Sequence, residues 1–196
     1  MASGETGLLT RAPWVTRRAL TVTDYHRMGE AGILKQQDRV ELIEGELIAM
    51  SPIGSGHSGT VNALNRLLIL AVGDRGVVAV QNPVQLDVLS EPQPDFAVLK
   101  PRDDYYRAAT PRPEDVLLLV EVAESSLAYD RAVKRALYAR HNIPEYWIVN
   151  LDADRVEVHR APAGDRYASV SHLGRGGTLE PMLLPGATVA VAALLG

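Results

Sequence analysis

The chain has 196 residues, 46% apolar and 22% charged, with no cysteine and a formal net charge of −4. That is the length of one domain able to bury its own core. The missing cysteine excludes a disulfide framework, thiolate zinc, iron–sulfur clusters and thiol catalysis. No apolar run approaches the ~20 residues of a membrane helix, and the N-terminus lacks the apolar centre of a secretion signal. The expected setting is therefore cytoplasmic, without membrane contact.

In chain order, residues 1–20 are rich in Gly, Thr and Arg without periodicity and read as a mobile arm, leaving 21–196 as a single domain. Thr23 to Gly29 reads as a short helix capped by Thr23. Arg39 to Met50 reads as a hairpin turning at Glu44-Gly45. Ser51 to His57 is a loop by its Pro and Gly content. Val61, Leu64, Leu67, Leu68 and Val72 fall at helical spacing, which predicts a helix from about His57 to Val72, stopped by Gly73. Val77 to Leu89 carries strand-like residues broken by Pro83, so an edge or bulge is expected there. A short strand follows at Pro94–Leu99, then a polar loop with three prolines.

Val116 to Val122 is almost unbroken apolar sequence, as in a central strand covered on both faces. Leu127 to His141 predicts a second helix. Glu145–Asn150 predicts another strand, and Arg155–Arg160 with Arg166–His172 a hairpin. The apolar tail from Thr178 predicts one more strand and a short cover. The fold class is α/β (α+β), with helices around a mixed sheet.

Glu121 closes the apolar run and should sit at the end of a buried strand, where a carboxylate needs a cation, a metal or an exposed strand end. Pro94 imposes an extended approach on Asp95, which then shares a strand face with Ala97 and Leu99. If the two strands pair, these carboxylates converge at one end of the sheet. Divalent Mg²⁺ or Mn²⁺ relieves such repulsion and suits oxygen ligands. Lys134 is one of only three lysines, with Lys35 and Lys100, in an arginine-rich chain. A compact point charge is the reason to keep a lysine there, although Asp130, four residues earlier, offers an ordinary ion pair. His57 opens the first long helix, where an anion such as phosphate is favoured. Glu41 and Glu46 on the hairpin are candidates for a third carboxylate. No P-loop, nucleophile elbow, zinc-helix motif or dinucleotide fingerprint occurs.

Pro94-Asp95, Leu119-Val-Glu-Val122, Asp130-x-x-x-Lys134 and Pro144-Glu-Tyr-Trp-Ile-Val149, preceded by Glu41-Leu-Ile-Glu-Gly-Glu-Leu47, Met50-Ser-Pro52 and His57, resemble the Uma-two family. These are restriction-endonuclease-like proteins of the PD-(D/E)XK nuclease superfamily, and the resemblance runs from about Val40 to the C-terminus. It implies a restriction-endonuclease-like central mixed β-sheet flanked by helices, with extra N-terminal and C-terminal hairpins. It implies Asp95 and Glu121 as ligands of Mg²⁺ or Mn²⁺. The superfamily lysine is absent at Ala123, and Lys134 resembles the displaced lysine of some members. Glu46, His57 and Asp130 become accessory candidates. The implied activity is metal-dependent DNA endonuclease, on duplex DNA met by Arg131, Lys134, Arg135 and Arg140. The apolar segment Met182 to Leu195 and the cutting of both strands point to a homodimer. Two other readings remain: a catalytically lapsed nuclease fold that binds DNA or a partner protein, and a metal-dependent phosphoesterase acting on small phosphodiesters.

Overall fold

The computed structural model describes residues 16–195. The expected arm at 1–20 lies outside these up to residue 15. Beyond that point the Leu20 N–H already donates to the Gly45 carbonyl at 3.0 Å.

Helix α1 spans Val22–Glu30. Its cap is Thr21, not Thr23. The Thr21 hydroxyl accepts from the Asp24 N–H while Asp24 accepts from the Thr21 N–H, a reciprocal capping box. Strands β1 (Val40–Ile43) and β2 (Glu46–Ala49) form a separate antiparallel hairpin. Glu44 and Gly45 both take positive φ in its turn, as a right-twisted two-residue connection requires. A Cβ on Gly45 would stand 2.4 Å from that of Ala19, so no larger residue fits.

Helix α2 runs Ser55–Val72 and buries Val61, Leu64, Leu68 and Val72 at the expected spacing. Strands β3 (Val77–Val80), β4 (Phe96–Leu99), β5 (Val116–Ala123), β6 (Glu145–Asn150), β7 (Arg155–Ala163) and β8 (Arg166–Gly174) lie side by side in that order. All neighbours are antiparallel except β5 and β6. The strand expected to reach Leu89 stops at Val80, where Gln81 takes a positive φ two residues before Pro83. The hairpin expected near the C-terminus is the outer pair of this sheet. The β5–β6 crossover is one helical rod: α3 (Leu127–Tyr129), a π turn (Asp130–Lys134) and α4 (Arg135–Arg140). Strands β9 (Thr178–Leu179) and β10 (Val189–Ala190) with helix α5 (Val191–Leu195) close the chain.

Two apolar layers sandwich the sheet. On one face Phe96, Val98, Val120 and Trp147 pack against α2 and the C-terminal segment. On the other, Ala97, Leu119, Tyr146 and Ile148 pack against Leu137 and Tyr138 of α4. Alternation therefore puts Glu121, between Val120 and Val122, on the α4 side. Leu184, Val189, Val191 and Leu194 of the tail turn inward, leaving Met182 and Leu183 exposed. No helix of the described residues is long and apolar enough to cross a membrane.

Candidate active site

At the end of the sheet where β4 begins, a cleft of about 1160 Å³ opens between α1, the β1–β2 hairpin and the start of α2. Asp95, Glu121 and Lys134 all line it. Glu121 Oε2 accepts from the Asp95 backbone N–H at 3.3 Å, and Asp95 Oδ2 accepts from the Val122 N–H at 2.9 Å. The antiparallel register, with Phe96 opposite Val120, creates this juxtaposition. Strand β5 continues past Glu121 to Ala123, so the acid stands inside the strand rather than at its end.

Lys134 Nζ donates to Glu121 Oε1 at 3.0 Å and to Glu41 Oε2 at 2.8 Å, with all three side chains buried. The ordinary ion pair with Asp130 is not made. Asp130 instead accepts from the Ser126 hydroxyl at 2.6 Å and lines the same cleft. The π turn separates these two buried residues, and such widened turns are frequent at functional sites. Tyr138 donates to Glu121 Oε1 at 2.9 Å. Asp95 is held further by His57 Nε2 at 3.1 Å and Gln81 Nε2 at 3.2 Å, while buried His57 Nδ1 has no hydrogen-bond partner among the described residues.

Of the two hairpin acids, Glu41 reaches the cleft and Glu46 does not. Glu46 sits beside the turn, across from Ile43, so the hairpin carries it to the tip and away from the cleft. It is exposed there and pairs with Arg17 at 3.2 Å. The expected basic face is also corrected. Arg131 pairs with Glu157, Arg140 with Glu44, and Lys134 is buried between acids. The Arg140–Glu44 pair lies at the surface, and none of Arg131, Arg135 and Arg140 lines the cleft. Sequence reading missed Gln81, Tyr138 and Glu124. The Glu124 carboxylate lies over the start of α2, where a Cβ on Gly54 would stand 2.6 Å from its Oε2, so glycine is required there.

Burial pushes the Glu121 carboxyl up to about 8; Lys134 opposes this, and Asp130, Asp95 and Glu41 reinforce it. Burial likewise raises Asp130 to about 6. Burial opposes the charge on Lys134, but Glu121 and Glu41 overcome it and hold the ammonium above the ordinary lysine value. Asp95 also resists burial: His57 first, then Val122 and Gln81, keep its carboxyl low. The cluster thus gathers more carboxyl groups than its one buried lysine can pair. Among the described residues no three His, Asp or Glu side chains are grouped to hold an ion alone. Two hard carboxylates completed by water match what Mg²⁺ accepts.

A family described as "Putative restriction endonuclease" matches residues 22–192. The chain belongs to this Uma2 family. Among solved structures, a "putative nuclease belonging to DUF820" from Anabaena variabilis superposes with a TM-score of 0.69 at 13% identity. The match covers 90% of this chain and 97% of that one. At that identity the likeness shows a shared fold. No curated protein matches the Uma2 chain described here.

Proposed function

We propose that this protein is a divalent-metal-dependent endonuclease that hydrolyses phosphodiester bonds in DNA, acting as a homodimer. The observation that supports it most is the meeting of Asp95, Glu121 and Lys134, from three separate elements, at one end of the sheet in an open cleft. Asp95 and Glu121 would hold Mg²⁺ or Mn²⁺. When bound, the cation polarises the phosphate and lowers the pKa of a bound water. His57 and Gln81 fix the Asp95 carboxylate, and Tyr138 fixes one oxygen of Glu121. Lys134 is held above its ordinary value, so it remains an ammonium. Its part is to stabilise the negative charge that develops on the phosphate, not to take a proton. Glu41 keeps the ammonium beside Glu121 in the place that Ala123 leaves without a lysine. A two-fold pair presents one such site to each strand of a duplex.

The test is nicking of supercoiled plasmid by the purified full chain at low salt, with Mg²⁺ or Mn²⁺ and with chelator. Cleavage is expected with metal only. Asp95→Ala and Glu121→Ala abolish it, and Lys134→Ala slows it on the order of 10²-fold while metal binding persists. Cutting that survives Asp95→Ala, or no cutting of any nucleic acid with any metal, overturns the reading; the second outcome leaves the lapsed nuclease fold.

A further inference from the structure

The cleft poses an electrostatic problem for a polyanion. Glu41, Glu91, Asp95, Glu121, Glu124 and Asp130 all line it. Lys134 is spent on two of them, and His26 is paired to Glu91 at 2.7 Å. The start of α2 offers no anion seat, because the Glu124 carboxylate already stands against Gly54 and Gly56. Of the expected basic set on the crossover helix, only Lys134 lines the cleft.

Two cations remain on the cleft wall, Lys35 and Arg39. Neither makes an ion pair among the described residues, although acids line the same cleft. Arg39 also takes a left-handed backbone with φ 44°. That conformation costs a non-glycine residue roughly 1–2 kcal/mol, and strain of this kind collects at ligand-contacting positions. Its carbonyl meanwhile accepts from the Met50 N–H at 2.8 Å, anchoring it at the open end of the hairpin.

We infer that Lys35 and Arg39 form a phosphate-gripping lip that seats the backbone of a single nucleic-acid strand at the mouth of the acidic cleft. The inference rests on the nuclease reading for its substrate class and adds which residues hold the strand and how narrowly. A two-cation lip neutralises about two phosphates, so log K should fall with log[salt] with a slope near −1.4 on a single strand. An extended duplex interface of six or more contacts would give a slope steeper than about −5.

The experiment is fluorescence anisotropy of a short labelled oligothymidylate with the full chain. Ca²⁺ serves as the hard cation and KCl is varied from about 50 to 300 mM. Arg39→Gln and Lys35→Gln are each expected to weaken binding several-fold and to lower the slope by about 0.7. Arg39→Gly separates folding from binding. It relieves the left-handed strain, so melting temperature holds while affinity falls as far as in Arg39→Gln. The lip is overturned if the wild-type chain does not bind the strand, if its slope is steep, or if both substitutions leave affinity and slope unchanged. A chain that binds with the expected slope yet never nicks plasmid sinks the nuclease reading and leaves the lip standing. A chain that nicks while ignoring both substitutions does the reverse.

Discussion

His159 lies 2% exposed on β7, stacked on Tyr146 at 5.7 Å, with neither ring nitrogen hydrogen-bonded among the described residues. Burial drives its imidazole down from 6.5 to about 4, against the pull of Glu157. Between those two values the unfolded chain binds a proton that the folded chain refuses, so stability falls as pH drops through the window. The full loss, on the order of 3 kcal/mol, is reached near pH 4. Chemical denaturation at several pH values should show it, and His159→Phe should flatten that part of the profile. An unchanged slope in the variant would place the acid sensitivity elsewhere. Site residues were legible in the sequence where their chemistry was out of place. Glu121 stood at the close of an apolar run, Asp95 followed a proline, and Lys134 was rare. Glu41 and Glu46 looked alike, since both are acids on one hairpin. Only the register, with Glu41 opposite Ile48 near the open end and Glu46 opposite Ile43 at the turn, tells them apart.

The crossover helix carries the lysine on a π turn, and this is the element whose geometry matters most. Deleting the exposed Ala132 should let the turn close to ordinary helix, with the flanking turns still packed on the sheet. Circular dichroism should then report an unchanged helix content. Plasmid nicking should fall on the order of 10²-fold, as for Lys134→Ala, because Nζ would leave Glu121. Full activity in the deletion variant would show that the π turn does not aim the lysine. The helix itself was readable from Val133, Ala136 and Leu137. The widened turn was not, since this apolar spacing fits an unbroken helix as well. The true cap of α1 was readable after all: Asp24 stands three residues after Thr21, the spacing of a reciprocal box, whereas Thr23 has no such partner.

At the scale of the whole molecule, the six sheet strands, both hairpins and the helices followed from apolar patterning and turn residues, but the other pairings did not, and the tail holds two short strands where one was expected. Which strand neighbours which depends on long-range packing, and the single parallel pair exists because a helix crosses between β5 and β6. The apolar tail suggested a second copy, yet most of it covers the molecule's own core. Light scattering of the purified chain at micromolar concentration should still report twice the monomer mass, from the demand of cutting two strands; a monomer would confine the activity to nicks or single strands. The β1–β2 hairpin shares no ladder with the main sheet. It is held to the loop before β4 by the Glu91 N–H on the Leu42 carbonyl and the Gly45 N–H on the Leu89 carbonyl, and across the cleft by Glu41 on Lys134. Further bonds join Leu20 to Gly45, Tyr25 to Val40, Glu44 to Ser90 and Gln93 to Glu41, and Leu42 and Ile43 are buried beneath them. Lifting the hairpin would strip the buried Lys134 ammonium of one of its two counter-ions, so this set of tethers acts as a latch that keeps the lysine seated beside Glu121.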